Sequence, residues 1–214
     1  MLYVIATPIG NLSDISQRAL DILKNVDVVL CEDTRVTGKL LHKFGIKKKM
    51  ISLHQHSTDE KMIALLKQFD NIAYTSDAGT PGISDPGNKL VAKAYELEKE
   101  VCPIPGASAV TALLSVSGLP TDKFLFMGFM PRRGQKKVLE AIKASEITIC
   151  FYESPHRIEK TLTALKDFVS DDRLIVVGRE LTKKFETIYR GNITEMIEQI
   201  KPKGEFTVVI AGRK

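Results

Sequence analysis

The chain has 214 residues, 43% hydrophobic and 7% aromatic, with no tryptophan and a formal net charge of +5. That apolar content excludes wholesale disorder and allows one large domain or two small ones. The scarcity of aromatic residues argues against a surface built mainly on base stacking, and the mild basic excess suits an anionic partner without demanding one.

Short β-branched runs alternate with amphipathic patterns along the chain. Residues 2–6 read as a strand, and 15–24 as a helix capped by Ser13 or Asp14. A strand at 26–31 precedes a helix at 36–44 that Gly45 stops. A short strand covers 50–53, and Ser57 with Glu60 reads as a capping box opening a helix to Phe69. A strand at 72–75 runs into the loop TSDAGTPGISDPG, followed by a helix to about Lys99, a strand at 101–104 and a helix at 107–116.

The Gly118-Leu119-Pro120 turn breaks this rhythm and is the expected domain boundary, giving domains 1–117 and 118–214. The second part reads as a strand at 124–129, a basic loop, a helix to Ala144 and a strand at 147–152. Ser154-Pro155 is expected to open a helix to Phe168, because proline suits the first helical position. Strands follow at 174–177 and 186–189. Asn192 and Glu195 open a helix to Ile200, and a strand at 206–210 closes the sheet. The fold class is therefore α/β, with a mostly parallel N-terminal sheet and a mixed C-terminal one.

Cys31, Cys102 and Cys150 match no metal-ligand spacing and read as buried thiols of a reducing compartment. The opening MLYVIATPIG lacks a basic region and a long apolar stretch, so it reads as a first strand rather than a signal peptide. No run reaches membrane-spanning length. A cytoplasmic location is the expectation.

Three loops fall where ligands bind in open α/β sheets, beyond the carboxyl ends of strands. They are Thr7-Pro8-Ile9-Gly10-Asn11, the loop after Tyr74, and Pro103-Ile104-Pro105-Gly106-Ala107-Ser108. Glycine allows close backbone approach and proline stiffens, so together they suit a flat polar ligand. Ordinary α/β turns carry the same residues, but less often at three strand ends at once. Neither Gly-x-Gly-x-x-Gly after the first strand nor a P-loop is present, which argues against dinucleotide binding and ATP hydrolysis.

Charged candidates cluster at two further strand ends. Glu32-Asp33-Thr34-Arg35 can place a carboxylate and a guanidinium in one cleft, or can simply form an acidic helix N-terminus. Phe151-Tyr152-Glu153-Ser154-Pro155-His156-Arg157 is either a capped helix start or a site. His54 and His56 lack a nearby third ligand, so no metal is expected and polar substrate contacts are favoured. Arg132, Arg133, Lys136 and Lys137, like Lys47, Lys48 and Lys49, form a solvated face or neutralise phosphates.

The stretches TPIGNLSDIS, CEDTR, SDAGTPGISDPG, PIPGASA and FYESPHR, in this order, resemble the rRNA-methylating members of the tetrapyrrole methylase superfamily from Leu2 to about Gly212. The resemblance implies two α/β domains with S-adenosylmethionine in the cleft between them, normally in a homodimer. It also implies methyl transfer to a ribose 2′-hydroxyl of a cytidine in the decoding region of 16S rRNA, carried on the rRNA or the small ribosomal subunit. Carried over by motif, Pro8, Ser76, Asp77, Ala78, Gly79, Ile83, Ser108 and Ala109 would hold the cofactor. Tyr152 and Leu181 would close its adenosyl end, with weaker matches at Phe206 and Thr207. The family usually carries a further small C-terminal module. This chain ends at GEFTVVIAGRK, so its basic patches would carry more of the RNA affinity.

Methyl transfer to a hydroxyl needs in-line positioning and a base. The candidate catalytic residues are Glu32, Asp33, Arg35 and Glu153, with His54 a further possibility. His54, Arg132, Arg133, His156 and Arg157 are candidates for substrate contact. Two alternatives are a methylase of the same superfamily acting on a tetrapyrrole and a non-catalytic RNA-binding protein that kept the fold.

Overall fold

In the first part of the chain, among the described residues, five parallel strands lie side by side. They are β1 (Leu2–Ile5), β2 (Val28–Cys31), β3 (Met50–Ser52), β4 (Ile72–Thr75) and β5 (Val101–Ile104), in the order β3-β2-β4-β1-β5. The computed structural model describes residues 1–54 and 56–213. Its two compact units are Met1–Ser108 and Ala109–Lys214.

Both faces of the first sheet are covered, which is why its strands read as continuous apolar runs. Side chains alternate between the faces. Val28, Leu30, Ile72 and Tyr74 pack against Leu65 and Leu66 of α3 (Asp59–Gln68) and Leu90 and Ala94 of α4 (Asn88–Glu96). Val29 and Ala73 pack with Leu20 and Leu23 of α1 (Gln17–Asn25) and Leu41 of α2 (Thr34–Lys43).

Local capping corrects several sequence expectations. Leu12–Asp14 is a short 3-10 turn capped by Asn11, and α1 starts later, with Ser16 accepting from the Ala19 N–H. Thr58, not Ser57, caps α3 by accepting from the Lys61 N–H. The Ser57 hydroxyl instead accepts from the His54 N–H at 3.1 Å, which closes the turn ahead of the helix.

The second unit contains α5 (Ala109–Ser117), β6 (Phe124–Phe129), α6 (Gln135–Ala144), β7 (Thr148–Glu153), α7 (Ile158–Leu165), β8 (Ile175–Arg179), β9 (Thr187–Gly191), α8 (Ile193–Gln199) and β10 (Phe206–Ile210). The sheet order is β6-β7-β10-β8-β9. Among its described strands only β6 and β7 pair in parallel, so the sheet is mixed. Leu139, Ile142, Leu162 and Met196 of α6 to α8 cover Phe151 and Val208 on one face. Helix α5 packs on β8 and β10, close enough that a side chain at Gly178 would meet Leu113 at 2.9 Å. The compact units thus part ahead of α5, rather than at the Gly118 turn after it. α7 also starts later than expected. Ser154 to Arg157 form a turn, and the helix begins at Ile158.

Candidate active site at the carboxyl edge of the first sheet

The chain leaves β2 outward to β3 but leaves β4 in the opposite direction, over β1 to β5. Diverging connections open a crevice between the carboxyl ends of β2 and β4, the position where doubly wound sheets bind ligands. Glu32 and Asp33 follow β2, and Ser76 and Asp77 follow β4.

Each flank of the loop after β4 is fastened differently. Toward β1 and β5, Thr7 and Gly79 exchange both backbone hydrogen bonds, at 2.8 and 3.0 Å, in an isolated antiparallel bridge. The Thr7 hydroxyl donates to the Ser76 carbonyl, and the Thr80 hydroxyl to the Ala107 carbonyl. Gly79 adopts φ +79°, a region that disfavours side chains, and a Cβ at Gly106 would meet the Ala6 Cβ at 3.0 Å. The three Gly- and Pro-rich loops are therefore one fastened assembly, bringing Pro8, Ser76, Asp77, Ala78 and Gly79 together. Ile83 is half exposed further along the same loop, and Ser108 closes the unit.

Toward β2 and β3 the surroundings are acidic. The Asp33 N–H donates to Asp77 Oδ1 at 3.1 Å. Asp33 also caps α2 and binds the Arg35 guanidinium. These hydrogen bonds hold its carboxyl down at about 2. Burial, then the charges of Asp77, Asp85 and Asp33, push the Glu32 carboxyl above its ordinary range. Burial likewise raises Asp77.

The far end of the loop after β4 borders a cavity of about 300 Å³, lined by Leu53, His54, Met62, Tyr74, Ser84 to Lys89 and Leu90. Tyr74 is fully buried, and its hydroxyl is the one buried side-chain polar atom among the described residues without a hydrogen-bond partner. Leaving such a group unpaired costs about 1–3 kcal/mol, so its retention calls for an explanation. Burial and the nearby Glu32 and Asp85 carboxylates push its ionisation far above the ordinary range, so it is a neutral phenol. In the sequence Tyr74 reads as the last apolar residue of a strand, which hides it among core residues. The available signal was a phenol placed just before the glycine- and proline-rich loop.

The candidates of the second unit stand in other surroundings. Glu153 is 1% exposed. It accepts from Arg157 Nη2 at 2.7 Å, the Thr161 hydroxyl at 2.6 Å and the Ser154 N–H at 2.7 Å. Arg157 further donates to the Met130 carbonyl. Tyr152 packs edge-on to Phe126, with ring centroids 5.0 Å apart, and pairs in register with Thr207. Leu181 is buried beside Gly178, Phe206 is buried, and Ala109 opens α5. Arg132 and Arg133 are exposed in the loop before α6, and His156 is exposed in the turn before α7. His54 lines the cavity, and His56 lies 6.2 Å from it, ring to ring. No metal-binding cluster occurs among the described residues.

Residues 1–197 match the family described as Tetrapyrrole (Corrin/Porphyrin) Methylases. The chain belongs to that family and is a methyltransferase. Its fold resembles a crystal structure of diphthine synthase, with a TM-score of 0.77 over 100% of this chain and 90% of that one, at 15% identity.

The sequence is 48% identical to a Synechocystis protein over 99% of this chain and 79% of the relative. Against a Bacillus subtilis protein the identity is 45%, over 99% and 75%. Against one from Thermotoga maritima it is 41%, over 100% and 99%. All three are named ribosomal RNA small subunit methyltransferase I, and the chain falls in that branch of the family. The Thermotoga coverage shows that a length close to this one occurs among the named relatives.

Proposed function

We propose that this methyltransferase takes its methyl group from S-adenosylmethionine and transfers it to the ribose 2′-hydroxyl of a cytidine in the decoding region of 16S rRNA. It would act on the rRNA or the small ribosomal subunit as a cytoplasmic homodimer. The observation that carries this reading is the near-full-length similarity to proteins named for rRNA methylation. No helix among the described residues is long and apolar enough to cross a membrane.

The residues present fit the cofactor. The fastened loops hold Gly79 at a positive φ and leave Asp77 and Ala78 exposed just before it, where a ligand can approach. Glu32 and Asp77, each pushed up partly by neighbouring carboxylates, would be relieved by a positively charged ligand. In this reading Pro8, Ser76 to Gly79, Ile83 and Ser108 hold it, and Ala109, Tyr152 and Leu181 are the further contacts that the family resemblance implies. When bound, S-adenosylmethionine supplies a methyl group already activated on a sulfonium.

The rest falls to the protein. The ribose oxygen must be held in line, and its proton must leave as the new O–C bond forms. Glu32 is the favoured acceptor, because burial and like charges make it a stronger base than an ordinary carboxylate. Asp33 is held by Arg35 and the start of α2, which suits it to positioning. Glu153 is engaged at both oxygens, so its proposed part is to anchor Arg157 and the turn before α7. Arg132, Arg133 and His156 are exposed and can meet phosphates.

The test is incubation with methyl-labelled S-adenosylmethionine and naked 16S rRNA, small subunits or whole ribosomes, followed by mapping of the labelled nucleotide. Label at one cytidine ribose is the expected result. Label on a base, or none on any RNA, overturns the proposal.

A further inference from the structure

We propose that the cavity beneath the loop after β4 seats the base of the acceptor nucleoside, with the Tyr74 hydroxyl as its buried hydrogen-bonding contact. This rests on the methyl-transfer reading and names the part of the site that selects the nucleotide.

Size is the first argument. A volume of about 300 Å³ stands at the lower limit of small-molecule pockets, roughly 300–1,000 Å³. It suits one nucleoside rather than a macrocycle or several stacked bases.

Lining chemistry is the second. Leu53, Met62 and Leu90 give apolar walls against which a ring can lie flat, while His54, Asp85 and Asn88 supply polar edges. RNA is read most specifically through unstacked bases, splayed out and bonded at their edges. Tyr74 lines this space, and its hydroxyl is buried without a protein partner. A polar ring atom entering the cavity would give it one.

The shape of the loop is the third. Gly87 adopts φ +142°, and a Cβ there would lie 2.8 Å from Tyr74 Cε1. Glycine is thus needed for the loop to close against the phenol ring while leaving space beside it. The same loop begins with Ser76 and Asp77.

Tyr74→Phe tests this, because it deletes an unpaired hydroxyl and leaves the ring in place, so the fold is kept. Labelled cytidine is titrated against wild type and variant by equilibrium dialysis, and methyl transfer to 16S rRNA is measured in parallel. The expected result is cytidine binding that weakens about tenfold in the variant, with kcat/KM for rRNA falling about 10- to 100-fold and S-adenosylmethionine affinity unchanged. Equal cytidine binding by both proteins, or no cytidine binding by either, overturns the nucleoside seat even where rRNA methylation is intact. Tyr74-dependent cytidine binding without methyl transfer to any RNA supports the seat and overturns the proposed function instead.

Discussion

The backbone N–H of Asp33 donates to the carboxylate of Asp77 at 3.1 Å, joining the segments that follow β2 and β4 across the crevice between them. One side chain thereby fixes the spacing of two segments that are 44 residues apart in sequence.

Asp77→Ala removes that tie. Affinity for S-adenosylmethionine, measured by calorimetry, is expected to fall about tenfold or more, the equivalent of one charge-assisted hydrogen bond of about 1.5–3 kcal/mol. Asp77→Asn keeps an oxygen for the Asp33 N–H and should retain the loop position while losing the charge. Wild-type affinity in Asp77→Ala would contradict the role of the tie.

Glu32→Gln should lower single-turnover methyl transfer by about 10²–10⁴-fold, the usual range for a lost general base, measured with the donor at saturation. The active form is the ionised carboxylate. Transfer by the wild type is therefore expected to rise with pH through an inflection above the ordinary carboxylate range and then level off. Stability follows the opposite sign. A raised carboxyl pKa means that the folded state holds the proton more tightly than the unfolded chain, so this contribution is present at low pH and lost as pH rises through the folded value. Glu32→Gln removes the penalty, so at neutral pH its melting temperature should equal or exceed that of the wild type.

Glu153→Ala tests the structural assignment. The carboxylate has no exposed side-chain surface and Arg157 is 24% exposed, so the change leaves a largely buried guanidinium without its partner. Loss of about 3–5 kcal/mol is expected by denaturant titration. The fraction that remains folded should transfer methyl at a rate near wild type. A large rate defect at full stability would return Glu153 to the catalytic group.

Gly87→Ala places a methyl 2.8 Å from the Tyr74 ring at a φ of +142°. A cost of about 1–3 kcal/mol in strain is expected, visible as a lower melting temperature, together with weaker substrate binding as the loop is displaced. Gly45→Ala also sits at a positive φ, of +65°, but meets no atom within 4 Å, so it should lose stability without affecting binding.

Arg132→Ala and Arg133→Ala should weaken RNA binding without altering which nucleotide is labelled. For every phosphate that a substitution leaves unneutralised, the slope of log affinity against log salt should become shallower by about 0.7–0.9. An unchanged slope would remove these arginines from the interface.

Much of the architecture was legible because hydrophobic period and loop chemistry agree. β4, β5, β6 and β10 fall where the apolar runs end, and Asn192 with Glu195 forms the capping box its spacing implies. Where two hydroxyl residues adjoin, as at Ser57 and Thr58, sequence cannot say which caps the helix and which closes the preceding turn. The loops of the candidate site stood out through their glycines and prolines. The Asp33–Asp77 tie did not, because only the strand order brings β2 beside β4. Glu153 drew attention by crowding with Tyr152, His156 and Arg157, yet the backbone turns Arg157 inward onto it, which adjacency in sequence does not reveal.

The bridge between Thr7 and Gly79 secures only one flank of the loop after β4. The opposite flank, around Asp85 and Gly87, takes no part in that bridge and lines the cavity instead. With the donor and acceptor seated as proposed, such a division of labour would let a lineage exchange acceptors while inheriting the donor grip intact. It gives a physical reason why one scaffold, described by corrins and porphyrins, also serves relatives named for ribosomal RNA.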